Sequence, residues 1–370
     1  MNDYHIKPID RRFNVEMLDV LHGSPIITKK MTICFDRQPD IFALPQCKYD
    51  RFFYKGLFHG EALKGFGMVG YHDVLVNGVP TVVFCARDLY VLPEARGQGF
   101  VPKSTEAHFR DNRHLATLGY GVIIRGNQAS MRMVGKRPAT NLFSPFSAEI
   151  GQLAVHTIYF TFPVSLSRKY FIRRAKTEDI PAIVELLRQE HQNRLFGRIY
   201  TEEIFHDRLL RHKGLSVSDY FLAFDRQGRC CGVCAAWDMH QMKQTRILRY
   251  GTSFIPAKIG WNVMSVMYRR PSLPRQGEAF REISLIDYAV KERDPEIMNA
   301  LLRAIYHQHQ KLDYHYMTWG GPVEDPMLKA VSGFQSRKII SNIVLFSTDR
   351  DWLEPGRVNT RLPFIDISAL

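Results

Sequence analysis

The chain has 370 residues, 45% hydrophobic and 24% charged, the balance of a globular protein with about two domains. Its formal net charge of +13 asks for an anionic partner: nucleic acid, an acidic lipid surface or a small polyphosphate. The basic residues are scattered and match no zinc-finger, RNA-recognition or basic-zipper pattern, so general surface charge is the preferred reading and nucleic acid ranks last. No apolar run reaches ~18 residues and the start, "MNDYHIKPIDRR", has no apolar leader segment. The expectation is therefore a cytoplasmic protein without a membrane partner. The six cysteines make no disulfide framework. Cys231-x-x-Cys234 has zinc-like spacing, but no second pair answers it and the run alternates like a buried strand, so core packing is expected and no metal.

In chain order, the first half opens with a strand, "YHIKPID", and helical candidates at "NVEMLDVLHG" and "PDIFALPQ". Three strand runs follow, "DRFFYKGLFHG", "KGFGMVGYHDVLVNG" and "VPTVVFCARDLYV", the last two joined by a hairpin at Asn77-Gly78. "VPKSTEAHFRDNRHLATLGY" reads as a helix beginning near Pro102 and stopping near Gly119. A strand, "GVIIRG", a short helix, "QASMRMVGK", and strands "TNLFSPFS" and "LAVHTIYFTFP" close this half.

The second half restarts with a strand at "KYFIRRAK" and a helix capped by Thr177, with Ile180, Ile183, Leu186 and Leu187 on one face. A helix, "YTEEIFHDRLLRHKG", and a hairpin turning at Gln227-Gly228 come next. The strand "REISLIDYAV", the helix "DPEIMNALLRAIYHQHQKL", the strand "YHYMTWGG", the short helix "PMLKAVSGF" and the strand "KIISNIVLFST" complete it. Both halves share one order of elements without sequence identity. Thr245 to Gly277 reads as an insertion and the tail after Asp351 as irregular. The divisions expected are 1–166, 167–350 and a tail, 351–370.

The chemistry concentrates at "DLYVLPEARGQGFVPKSTEAHFR", where a strand ending at Val91 meets Arg96-Gly97-Gln98-Gly99 and then a helix. Unpaired amides and the positive end of the helix dipole make such a junction an anion site. The glycines clear side chains from it, and Arg96 adds charge. The phosphate-loop and dinucleotide fingerprints are both absent.

"LYVLPEARGQG" resembles the acyl-CoA signature of the GNAT superfamily of N-acyltransferases, and the order of elements in both halves is similar to the GNAT fold. The resemblance implies an α/β (α+β) architecture of two tandem GNAT-like units, each a mixed, mostly antiparallel central sheet flanked by helices. It implies that pantetheine pairs with Leu89, Tyr90 and Val91, and that pyrophosphate sits on the amides of Arg96, Gly97, Gln98, Gly99, Phe100 and Val101. Asn127 matches a polar position that bonds CoA or backbone. Three departures stand out. Val101 replaces the final small residue of the signature; Met131, four residues before Gly135, stands where the family often has a tyrosine acid; and Cys85 stands where many members carry a Glu or His base. Cys85, Asp88 and Tyr90 are the catalytic candidates, with a water chain or a C-terminal residue as alternatives. An unperturbed thiol, near ~8.5, is a poor base and more at home in a core.

In the second half Pro295 aligns with Arg96 and Met298 with Gly99, so the glycines are gone; Lys329 stands at the acid position. One acyl-CoA-binding unit and one degenerate unit are expected. The function expected is acyl transfer from acetyl-CoA or another acyl-CoA to a primary amine of a small molecule or amino-acid-like acceptor. The alternative is a non-catalytic acyl-CoA-binding or regulatory protein.

Overall fold

The computed structural model describes residues 3–132, 134, 143–354, 356–358 and 362–370. The first half contains β1 (Tyr4–Ile9), α1 (Asn14–His22), β2 (Ile26–Ile27), β3 (Met31–Asp36), α2 (Ala43–Lys48), β4 (Arg51–His59), β5 (Ala62–Val76), β6 (Val79–Val91), α3 (Phe100–Asn112), β7 (Leu118–Ile124), α4 (Gln128–Met131) and β8 (Phe146–Tyr159). The second contains β9 (Phe171–Arg174), α5 (Ile180–His191), α6 (Glu202–Arg211), β10 (Tyr220–Phe224), β11 (Cys230–Trp237), β12 (Gln244–Tyr250), α7 (Ile255–Tyr268), β13 (Glu282–Val290), α8 (Pro295–His309), β14 (Tyr316–Pro322) and β15 (Ser336–Ser347).

Local chemistry accounts for many of these boundaries. Asn77 (φ 54°) and Gly78 (φ 81°) are both left-handed, the two-residue turn whose twist suits a hairpin. The Thr201 hydroxyl accepts from the Ile204 amide and caps α6. Helix α5 buries Ile180, Ile183, Val184 and Leu187 along one face, and α8 buries Met298, Leu301, Leu302 and Ile305. Cys231 and Cys234 are buried in β11 among these apolar side chains.

Twelve strands form one mixed, mostly antiparallel sheet in the order β1-β4-β5-β6-β7-β15-β8-β14-β13-β11-β10-β9. Helices flank it, as the α/β expectation required. The two halves exchange their last strands. β15, from the second half, lies antiparallel on β7, and β8, from the first, lies antiparallel on β14. β8 and β15 also pair with each other from Ser336↔Ile158 to Ser347↔Phe146, so backbone hydrogen bonds run without a break between the halves.

Four details differ from the sequence reading. Helix α3 begins at Phe100 rather than Pro102 and ends at Asn112. Gly119 is no helix stop but a strand residue, and a Cβ there would lie 2.4 Å from both the ring and the carbonyl oxygen of Phe84. β2 and β3 were not foreseen; they join β12 in a second, three-stranded sheet. Within it, Arg246 of β12 donates to the Asp36 carboxylate of β3 at 2.7 and 3.0 Å. The "TNLFSPFS" strand starts only at Phe146; its residues 140–142, and Gly135, lie outside the described residues. Irregular though it is, the described end of the tail packs on the body: Phe364 donates its amide to Leu195 O at 2.7 Å, Phe364 and Ile365 are buried, and Asp366 binds Lys48 at 3.0 Å and also Arg198.

Candidate functional site

Strand β6 carries a bulge. Its register against β5 shifts between Phe66↔Tyr90 and Met68↔Arg87, leaving Asp88 and Leu89 opposite Gly67. Asp88 takes φ 53°, a left-handed backbone that a non-glycine residue holds only when its surroundings enforce it. Here Arg37 does so, with two bonds of 2.6 and 2.8 Å to the carboxylate, assisted by Tyr54 Oη at 3.3 Å. Burial alone would raise the Asp88 carboxyl, but Arg37 and Arg87 outweigh it and hold the group well below the usual carboxylate range.

The bulge re-aims the strand. Parallel pairing between β6 and β7 is confined to Phe84↔Gly119 and Cys85↔Tyr120, and beyond it the two strands part. The diverging stretch of β6 runs through Leu89, which is exposed, to Val91. A short 3-10 turn, Pro93–Ala95, then leads to Gly97 (φ 81°) and Gly99 (φ 73°). A Cβ at Gly97 would meet nothing within 4 Å, and one at Gly99 only the Lys103 side chain at 3.6 Å. Gly99 caps α3, whose first turn holds no acidic residue. The first amide to reach back into the helix is that of Lys103, to Gly99 O at 3.3 Å; those before it open the helix without an intrahelical partner. Phe100 pins the junction by burying its ring with Leu57 and Ala95.

The second half repeats the bulge and closes the turn. Asp287 takes φ 47° and is bound by Tyr200 (2.9 Å), Tyr220 (2.7 Å) and Arg208 (2.7 Å). β13 pairs with β14 only from Glu282↔Tyr316 to Ser284↔Thr318. Past that point the tail comes against β13: Phe364 to Ile367 face Leu285 to Tyr288. The connection to the helix is also shorter. α8 starts at Pro295 with Asp294 as its cap, so Gly99 is matched by Asp294, rather than by Met298 as the ungapped alignment had it. The Asp294 carboxylate accepts from the Glu296 amide at 2.8 Å, a protein anion in the place an external one would take. A cavity of about 660 Å³ lies beside this turn, lined by Val290, Lys291, Arg293 and Arg194 among others. Its arginines are already matched: Arg194 and Arg293 both bind Glu190 and Asp325.

Cys85 and Tyr90 pack in the first half's apolar core, Cys85 buried and Tyr90 partly so. Burial pushes the Cys85 thiol up, and burial likewise raises the Tyr90 phenol. Asn127 caps α4, its Oδ1 accepting from the Ser130 amide at 3.2 Å, and Met131 Sδ accepts from Asn342 Nδ2 at 3.3 Å. Two groups that the sequence reading missed stand beside Cys85, where β6 and β7 separate. Tyr120, directly opposite Cys85, places its hydroxyl 3.3 Å from His72 Nε2 and stacks on Phe196 at 4.7 Å. Burial, reinforced by Arg198, pushes the His72 imidazole down to about 4, so it is neutral at pH 7. Neither residue belongs to a motif; only the pairing of β7 with β6, and of β5 with β6, brings them together.

A bulged strand that splays from its parallel neighbour, followed by an open glycine turn and a helix, defines the fold of GNAT-superfamily acyl-CoA N-acyltransferases, and this chain has that fold in two lobes. It is similar to Saccharomyces cerevisiae N-myristoyltransferase with bound myristoyl-CoA, at TM-score 0.59 and 13% identity over 94% of this chain and 78% of that one. It is similar also to a probable N-acyltransferase of Enterococcus faecalis (TM-score 0.53, 13% identity, 95% of this chain and 74% of that one). A GCN5-related N-acetyltransferase from Anabaena variabilis gives a TM-score of 0.52 at 11% identity, over 94% of this chain and 74% of that one. No protein-family model and no curated protein sequence matches the chain.

Proposed function

We propose that the first half binds an acyl-CoA and that the protein transfers its acyl group to a primary amine of a small or amino-acid-like acceptor. The observation that carries this reading is the contrast between the two turns: Gly97 and Gly99 leave open space ahead of α3, whereas Asp294 fills the matching place ahead of α8. The diphosphate is assigned to the amides from Gly97 to Val101, since that of Arg96 closes the preceding turn onto Pro93 O at 3.3 Å, with pantetheine laid along Leu89 to Val91 as an added strand. Running back from the turn along β6, that arm brings the thioester toward Asp88, Cys85 and Tyr120.

The amine nitrogen attacks the thioester carbonyl carbon, the C–S bond breaks, and CoA leaves as a thiolate that takes up a proton. The amine must lose a proton in the process. Neutral His72, bonded to Tyr120, is the group suited to receive it. Asp88 is assigned a positioning role: pinned between Arg37 and Arg87, it fixes the bulge that opens the strand.

The test is release of free thiol from acetyl-, octanoyl- and myristoyl-CoA in the presence of a panel of amines. Amine-dependent release is expected, and the preferred chain length identifies the donor. CoA binding without release for any pair supports the alternative, a non-catalytic acyl-CoA-binding protein. The burial of Cys85 and the engagement of the ionised Asp88 carboxylate by Arg37 favour that second reading. Failure to bind CoA overturns both.

A further inference from the structure

Helix α7 faces the wrong way for a helix in water. Ile255 (47% exposed), Ile259 (60%), Val263 (56%), Val266 (79%) and Met267 (69%) point outward. At ~100° per residue these positions fall within an arc of about 120°, so they form one continuous apolar stripe. The opposite side touches the protein through buried Ser265 and through Trp261, whose Nε1 donates to Pro271 O at 3.2 Å and whose ring meets Tyr159 at 5.8 Å. The stripe does not stand alone. The turn between β2 and β3 brings Ile27, 76% exposed, together with Lys29 and Lys30 to the start of α7. Ser253 Oγ donates to Lys29 O at 3.2 Å, and the Gly251 amide donates to Lys30 O at 2.8 Å. Two segments more than 200 residues apart thus build one surface.

The charge around this surface is one-sided. From Met239 to Gly277 the chain contains seven Lys and Arg residues and no Asp or Glu. Arg246 is engaged with Asp36, Lys243 with the Leu370 carbonyl and Arg270 with Gln310; Lys258, Arg269 and Arg275 flank the helix. A second copy of the chain would bring this basic rim against itself. An anionic bilayer satisfies both parts, taking the apolar stripe at the acyl boundary and the lysines and arginines at the headgroups.

We infer that α7 and the β2–β3 turn dock the protein on the surface of an anionic lipid membrane, with the helix lying in the interface plane. At 14 residues, about 21 Å long, α7 is too short to cross a ~30 Å hydrocarbon core, and no helix among the described residues is long and apolar enough to do so. A search for long apolar runs misses such a site, because it depends on which side of a helix faces out. The inference is independent of acyl transfer.

The experiment is co-sedimentation with vesicles of phosphatidylcholine alone and of phosphatidylcholine mixed with phosphatidylglycerol. Wild-type protein is expected to pellet with the mixed vesicles and far less with the neutral ones. Ile259→Asp combined with Val266→Asp, both at exposed positions, is expected to reduce the partition coefficient at least ~tenfold, as is Lys29→Glu with Lys30→Glu and Lys258→Glu. Unchanged melting and CoA binding confirm that the variants are folded. Absence of wild-type binding, or equal binding by the variants, overturns the inference. So does self-association in sedimentation velocity that the Ile259 and Val266 changes abolish, which would make the surface a dimer interface.

Discussion

Replacing Gly99 once by asparagine and once by aspartate separates space from charge at the turn assigned to the diphosphate. The two side chains have nearly the same shape, and both tolerate a left-handed backbone better than other residues. At φ 73°, with only the Lys103 side chain within 4 Å of a new Cβ, either one costs about 1 kcal/mol of backbone strain and leaves the fold intact. Aspartate adds a negative charge. At ~5 Å from a phosphate, with an effective dielectric constant of ~20, the repulsion is about 3 kcal/mol for each unit charge. That corresponds to at least a hundredfold rise in Kd. Calorimetric titration with CoA is expected to give modest weakening for Gly99→Asn and loss of measurable binding for Gly99→Asp. Equal affinities for the two variants would refute a phosphate at this turn. Gly97→Ala, where a Cβ meets nothing, serves as the control for strain alone.

Tyr120→Phe removes the hydroxyl next to His72; kcat for acyl transfer is expected to fall at least ~tenfold while CoA affinity stays unchanged. Gly119→Ala pushes a Cβ to 2.4 Å from the Phe84 carbonyl oxygen, and urea unfolding is expected to show a loss of more than ~2 kcal/mol, because backbone cannot swing aside. Asp88→Asn leaves Arg37 buried without its counter-charge, a cost of about 3–5 kcal/mol measured the same way. Asp88's carboxyl is depressed in the folded state, so its contribution is complete above ~3.9 and is lost as pH falls from there; the variant's acid limb should be correspondingly flatter. His72, depressed to about 4, stabilises the fold fully above ~6.5, and this contribution is lost as pH falls toward 4. His72→Gln is expected to lessen the drop in melting temperature across that interval.

What could be read from the sequence was what short segments decide. Asn77-Gly78 specifies its hairpin, and Arg96-Gly97-Gln98-Gly99 marks a turn that only left-handed residues can make. The common order of strands and helices led to the right fold class. What could not be read depends on partners distant in the chain. β2 and β3 are short, two and six residues, and form a sheet because β12, some two hundred residues on, pairs with β3. The exchange of β8 and β15 between halves leaves no local trace, since either strand would suit either position. Gly119 reads as a helix stop because glycine serves both helix ends and close packing; only the approach of Phe84 separates the two. The missed pair, His72 and Tyr120, sits on ordinary alternating strands. The ungapped match of Met298 to Gly99 failed because the second half's turn is shorter than the first's, which moved Asp294 into the capping position.

A structure of the protein with CoA bound is the most direct test. The diphosphate is expected on the amides from Gly97 to Val101, the pantetheine along Leu89 to Val91, and the sulfur near Cys85 and Tyr120, with the tail still lying against Leu285 to Tyr288. CoA seated in the cavity beside Lys291 and Arg293, with Gly97 and Gly99 untouched, would contradict the assignment.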